Sequence, residues 1–317
     1  MDELERFKSE INLTEYAAAR GYQLDRRASS RNSIVMRHPG NDDKIIVSRG
    51  QGDRHWIYFS VRDARDHGTI VDFVQRRDRG ALADVRRELL PWIGGGHPAV
   101  APELYRRSVT ARTIDRRSVS RAFAQARPAS DSRYLNLRGI KPATLGSERF
   151  AGTFREDARG NILFPHRDPE GLAGFESKNH GWTSFSPGGV KALWRSNSLP
   201  GDNRVVLVES AIDALSLHQI QREPHACYAS TAGSLSEHQR ALLADVLMAL
   251  PPGTTVVLAF DRDVAGDELA RQVRVLGQVR FTRARSPVGK DWNDYLMVRE
   301  RDYIRSIAPS RGLDLGR

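Results

Sequence analysis

The chain holds a single cysteine, Cys227, among 317 residues, which leaves no intramolecular disulfide and no zinc site built from three or four thiolates. A lone thiol suits a reducing compartment. No apolar run approaches the ~18 residues of a membrane span. The opening MDELERFKSEINLTEY has neither the basic nor the apolar region of a secretory leader. Both absences predict a cytoplasmic protein with no membrane partner. A GxxxxGK[ST] phosphate loop is also missing, because the glycines at 94–96 run into HPAV without a lysine. Helicase activity is therefore not expected within the chain, and any unwinding would fall to a partner. Negative charge is the scarcer sign: 39 Asp and Glu face 49 Lys and Arg, for a net charge of +10 and a pI near 10.1. That balance favours a polyanionic partner through phosphate contact and counterion release, and is also compatible with a soluble basic protein that has none.

The length exceeds a typical domain of ~100–200 residues, so two or three modules are expected. Residues 1–92 open with short helical patterns. Three strand-like runs follow (Ser33–His38, Lys44–Ser48, His55–Val61), and helical periodicity resumes in TIVDFVQRR and ALADVRRELLPWI. An antiparallel sheet flanked by helices is the economical arrangement. Residues 93–130 change character: YRRSVTARTIDRRSVSRAFAQARPAS carries seven arginines against one Asp and reads as a linker, either solvated or holding a nucleic-acid backbone. Residues 131–200 begin with a short helix and continue into strands such as NILFPH, LAGFESK and WTSF. From 201 to about 310, apolar strands alternate with helix-period segments, which predicts βαβ units and a mainly parallel sheet.

Two of those strands end in acids. VVLVES delivers Glu209 just before a helix whose first turn carries Asp213, and VVLAFDRDVAG delivers Asp261 and Asp263, with Gly266 at the start of the next helix. Functional groups in open α/β sheets gather beyond the carboxyl ends of strands, so both clusters are expected on one rim. Carboxylates brought together repel unless a divalent cation neutralises them, and hard oxygen ligands suit Mg²⁺ or Mn²⁺. The bland alternative is that each acid caps the helix that follows it.

A strand ending in Glu, then a second strand ending in Asp-x-Asp-x-x-Gly, resembles the Toprim domain of bacterial-type primases, topoisomerases and some nucleases. Flanking segments are most similar to primases of bacteria and plasmids. SPVGKDWNDYL resembles the primase Gly-Lys-Asp-Pro-Asn-Asp stretch, with Trp292 in place of Pro, and this adds Asp291, with Asn293 and Asp294 beside it. YLNLRGI resembles the helix that opens the primase core, through Tyr134 and Arg138. NILFPHRDPEGLAGFESKN and GGVKALWRSN are similar to the segments that follow, and put Lys178 and Lys191 near family positions that contact template or nucleotide. GTIVDFVQ resembles the helix that closes the primase zinc module, but Met36, Ser60 and Arg62 stand where cysteines would, leaving His38 as a remnant.

The resemblance implies a multi-domain α/β protein. A Toprim domain with a mainly parallel sheet (201–310) follows a small α+β primase-core subdomain (131–200), an Arg-rich linker (93–130) and an N-terminal α+β zinc-finger-like module without zinc (1–92). It implies catalysis by Glu209, Asp261 and Asp263, metal ligation by these with Asp213 and Asp291, and nucleic-acid or nucleotide contacts from Arg138, Lys178, Lys191 and Lys290. Cofactors would be Mg²⁺ or Mn²⁺ with no structural zinc. The implied activity is a DNA primase-like nucleotidyltransferase that makes short primers on single-stranded DNA from nucleoside triphosphates, in replication or transfer of plasmid or other mobile DNA, with a helicase or relaxase as possible partner. Two alternatives stay open: a Toprim metal-dependent nuclease, and a non-catalytic DNA-binding accessory protein of plasmid mobilisation. In the N-terminal module, Arg31, Arg37, Arg49, Arg54, His55, Trp56 and Tyr58 form either a nucleic-acid surface or, for the aromatics, part of a core.

Overall fold

A computed structural model of the chain describes residues 2–50, 55–63, 66–94, 100–110 and 113–307; Arg54, Gly95, Gly96 and the 308–317 tail lie outside the described residues. The chain divides into two compact units, 1–113 and 114–317. Among the described residues no helix is long and apolar enough to cross a membrane.

In the first unit, helices α1 (Glu3–Glu10) and α2 (Leu13–Ala19) precede an antiparallel sheet of β1 (Gln23–Leu24), β2 (Ile34–His38), β3 (Asp43–Arg49), β4 (Trp56–Ser60) and β5 (His67–Thr69), paired in that order; α3 (Ile70–Asp78) and α4 (Leu82–Leu89) follow. Strand alternation decides which face each side chain takes. Ile34, Met36, Ile45, Val47, Trp56 and Tyr58 all point into a core shared with Phe7, Tyr16 and Phe73. Trp56 and Tyr58 are thus core residues rather than a stacking surface: the first is 3% exposed and the second fully buried. Arg49 lies over the Trp56 ring, 5.0 Å from its centroid.

The side chains at the positions where the resemblance expects cysteine, and His38, make local contacts. Met36 is core, Ser60 Oγ accepts the Arg62 and Asp63 amides, Arg62 pairs with Asp42, and His38 Nδ1 accepts the Gly40 N–H. The unit is instead tied together by Arg77 on α3. Its guanidinium donates to Tyr22 Oη (2.8 Å), Asp43 (2.7 Å) and Asp66 (3.1 Å), and lies 3.9 Å from the centroid of the Phe73 ring. Tyr22 and Tyr58 donate in turn to Asp43 and Asp66. One cation therefore joins α3 to β3 and to the residues just before β1 and β5 through charge-assisted bonds.

The second unit begins inside the segment expected as a linker. Tyr105 and Val109 belong to the first core, whereas α5 (Arg116–Ala124) buries Val119 and Phe123, one turn apart, against Leu163 and Phe175. Next come β6 (Arg127–Pro128), α6 (Arg133–Leu137), α7 (Pro142–Leu145), β7 (Arg155–Glu156), β8 (Ile162–Asp168), β9 (Gly171–Asn179) and β10 (Trp182–Phe185), whose five strands form an antiparallel sheet ordered β10-β9-β8-β7-β6. The third sheet is built from β11 (Trp194–Arg195), β12 (Arg204–Val208), β13 (Ala226–Ser230), β14 (Thr255–Leu258) and β15 (Arg280–Arg283) in the order β11-β13-β12-β14-β15, and all its pairings are parallel except that of β11. Helices α8 (Ala211–Gln221), α9 (Glu237–Met248), α10 (Val264–Arg274) and α11 (Trp292–Ile307) connect or follow its strands.

Residues from both expected modules, 131–200 and 201–310, enter one core: Phe150, Phe164 and Trp194 pack with Val206, Val208 and Leu215. A buried fork crosses the same boundary, Arg149 bonding both oxygens of Asp202 at 2.6 Å and the carbonyls of Asn197 and Pro224. His166 on β8 is fully buried, with Nδ1 2.6 Å from the Ala192 carbonyl oxygen and Nε2 without a partner. Burial pushes its pKa down to about 4.

Two stability outcomes follow. Arg77→Met strands Asp43 and Asp66 without their countercharge and should cost ~3 kcal/mol, read as a lower urea midpoint of the first unit. Arg77→Lys, which keeps the charge but not the fork, should recover part of it. His166 binds its proton more weakly folded than unfolded, so its contribution is complete above the unfolded value of ~6.5 and is lost as pH falls towards 4, at up to ~1.4 kcal/mol per pH unit. Unfolding midpoints at pH 7 and pH 5 should differ for the native chain and differ less for His166→Asn.

Candidate metal and nucleotide site

From β12 the chain crosses to β13 on one side, and it then returns to β14 on the other side of β12. The carboxyl ends of β12 and β14 therefore flank a topological switch point, where crossovers diverge and leave a crevice. Glu209 directly follows β12, and Asp261 follows β14 after Ala259 and Phe260. Glu209, Asp213, Asp261 and Asp291 line one cleft of about 430 Å³, together with Arg138, Lys178, Tyr134, Trp182 and Glu176.

Each acid is held by local chemistry. Ser210 caps α8, its hydroxyl accepting the Asp213 N–H and donating to Asp213 Oδ2 at 2.6 Å. Asp213, 4% exposed, also accepts the Asn293 N–H at 3.3 Å. Asp263 caps α10, Oδ1 accepting the Gly266 N–H at 2.8 Å, so the capping role and membership of the acid group coexist in one residue. Gly266 is required sterically, since a Cβ there would overlap the Asp261 carbonyl oxygen. Asp291 Oδ1 accepts the Asp294 N–H (2.7 Å) at the start of α11. The Glu209 carboxylate has no hydrogen-bond or ion-pair partner among the described residues.

Crowding shows in the electrostatics. Burial, followed by the charge of Asp261, pushes Glu209 up to about 7; burial, followed by Asp291, pushes Asp213 up to about 7; burial also raises Asp261. One ammonium answers this charge directly: Lys290 Nζ lies 3.1 Å from Asp261 Oδ2 and 3.3 Å from Asp263 Oδ2. Its own pKa is raised by these contacts.

The remaining expected cations are placed less uniformly. Arg138 lines the cleft, and its buried Nε has no partner among the described residues. Lys178 lines it too, paired with Glu176 at 3.3 Å. Lys191 is not a wall of the cleft: Nζ donates to the Ser234 carbonyl at 3.1 Å, although it feels the charge of Glu209. Asn293 is fastened rather than free, its amide donating to Arg138 O (2.8 Å) and Ser216 Oγ (2.9 Å). Trp292, the departure from the primase Pro, donates from Nε1 to Ala259 O (2.8 Å) and pins α11 beside the end of β14.

Sequence reasoning missed Glu176, Trp182 and Arg283. Glu176 shares a strand face with Lys178 two residues on, a signal available in the alternation of β9. Trp182 is 47% exposed at the cleft, after the turn that joins β9 to β10. Arg283 donates to the carbonyls of Leu258, Phe260 and Asp261, clamping the exit of β14 from the neighbouring strand. Only long-range pairing reveals it.

Among the described residues no group of three His, Cys, Asp or Glu side chains is spaced as a ready-made metal cage. The donor set nevertheless fits a hard divalent cation: several carboxylates face one cleft, one has no partner, and two already hold a cation in the form of the Lys290 ammonium.

Residues 206–296 match the family model described as Toprim-like, and residues 133–203 match one described as a protein of unknown function (DUF3991). The Toprim-like match contains Glu209, Asp213, Asp261, Asp263 and Asp291, so the strand–Glu and Asp-x-Asp-x-x-Gly resemblance is borne out: this part of the chain carries a Toprim-like domain. No curated protein matches the chain. Among solved structures, the primase fragment of the bacteriophage T7 primase-helicase protein is 18% identical, with a TM-score of 0.39 over 56% of this chain and 76% of that one. The RNA polymerase domain of Mycobacterium tuberculosis primase DnaG is 18% identical, with a TM-score of 0.31 over 62% of this chain and 72% of that one.

Gly266→Ala tests the rim. Replacing a helical glycine by alanine ordinarily gains ~0.5–1 kcal/mol. Here the methyl collides with the Asp261 backbone, and a lower melting temperature is expected instead.

Proposed function

We propose that the chain is a primase-type nucleotidyltransferase that extends short primers on single-stranded DNA from nucleoside triphosphates. The observation that carries this reading is the convergence of four acids from three chain segments on one cleft whose walls also bring Arg138 and Lys178. Acidic floor and basic wall suit a substrate with phosphates to grip and a hydroxyl to activate.

Glu209, Asp261 and Asp263, with Asp213 and Asp291, would hold Mg²⁺ or Mn²⁺. When bound, such a cation orients a triphosphate and lowers the pKa of the attacking 3′-hydroxyl. Arg138 and Lys178 meet phosphate oxygens of template or nucleotide, and the exposed Trp182 ring offers a face on which a base stacks. Lys290 and Lys191 add positive charge beside the acids. Asp213, bonded to the Ser210 hydroxyl and to the backbone N–H of Asn293, ties α8 to the start of α11, so that Glu209 and Asp291 line one cleft. The setting of this reading is replication or transfer of plasmid or other mobile DNA, with a helicase or relaxase supplying the exposed strand.

The same acids suit a nuclease if water takes the place of the 3′-hydroxyl, and one assay separates the two. Labelled single-stranded templates are incubated with Mg²⁺ or Mn²⁺ and with ribo- or deoxynucleoside triphosphates. Products that grow, and that Glu209→Gln or Asp261→Asn reduces at least ~10³-fold, are the expected result. Labelled strands that shorten would establish the nuclease. Unchanged strands over a broad set of templates, with DNA affinity intact in the double acid variant, would leave an accessory binding protein.

A further inference from the structure

Among the described residues, Lys290 is the one side chain that bridges the two acids of the Asp-x-Asp segment. Its backbone is fixed from both sides: the Arg262 N–H donates to Lys290 O at 2.7 Å, and the Lys290 N–H donates to Asp294 Oδ2 at 2.9 Å. Gly289, at φ +77°, makes the turn that brings it there; a Cβ at that position would overlap Asp294. The side chain itself is not confined. It is 58% exposed, while the Asp261 carboxylate beneath it is 9% exposed. An anchored backbone with a free stem allows the ammonium to leave the acids without moving the loop.

We propose that Lys290 is a built-in counter-ion that holds Asp261 and Asp263 together in the metal-free protein and is displaced when a divalent cation takes their oxygens. The Oδ2 atoms of both residues face Nζ. A hard divalent cation held by Asp261 and Asp263 would draw on those same carboxylates. Two positive centres would then share one pair of oxygens, and their repulsion drives the mobile one into solvent. Lys290 is therefore a positioning residue: it keeps a repulsive acid pair assembled, and it sets how strongly the site takes metal. The inference rests on the divalent-metal reading of the acid cleft.

The test uses the full chain. Mn²⁺ binding is measured by calorimetry for the native protein, Lys290→Ala, Lys290→Gln and Lys290→Arg, beside thermal melts with and without Mn²⁺. Lys290→Ala and Lys290→Gln should bind Mn²⁺ at least fivefold more tightly, melt lower than the native protein without metal, and show the larger rise in melting temperature on adding it. Lys290→Arg should bind no more tightly than the native chain. Unchanged or weaker binding by the neutral variants, with binding by the native protein measurable, overturns the counter-ion role and leaves the metal reading standing. If none of the four forms binds Mn²⁺, the metal reading falls and this inference falls with it. Lys290→Gln keeps the test decisive if Lys290→Ala does not fold.

Discussion

Repulsion among carboxylates at the carboxyl rim of β12 and β14 is the constraint around which the second unit is arranged. A parallel sheet whose connections diverge at adjacent strands leaves a crevice there, and this chain fills it with acids. Keeping them in place needs support from several directions. Arg283 clamps the backbone that presents Asp261, Gly266 lets the α10 turn approach that backbone, Asn293 ties α11 to the loop after α6, and Lys290 supplies charge. The sites of backbone anchoring and of charge compensation are different residues. The scaffold therefore does not rest on the cation that balances the acids.

Much of this was legible from residue order. The alternation of apolar strands with helix-period segments after residue 201 marked the parallel sheet, and the two strand-terminal acid clusters marked the rim where the acids gather. Both signals are local: a strand end and the helix cap after it lie within a few residues of one another. The resemblance to Toprim proteins rested on the same short segments, and the family match covers them.

What stayed hidden depends on distance along the chain or on which of two faces a strand turns inward. The Arg-rich stretch 93–130 read as a linker because the buried stripe of α5 within it consists of only Val119 and Phe123, outnumbered by arginines. Trp56 and Tyr58 were equally suited to a stacking surface and a core; the pairing register of β3 with β4 decides between them, and that register is not written in either strand. Glu176 and Trp182 reach the cleft from a different sheet, which no spacing within one segment reveals.

The Arg77 cluster bears on how the two halves of the protein respond to their surroundings. Its junction is closed by guanidinium, phenol and carboxylate groups, which chelators do not strip and mild oxidants do not attack. If the acid cleft takes a divalent ion as proposed, sequestering that ion acts there and leaves the Arg77 junction in the first unit closed. On the proposed metal reading, the fold of the first unit does not depend on the ion that the acid cleft of the second would hold.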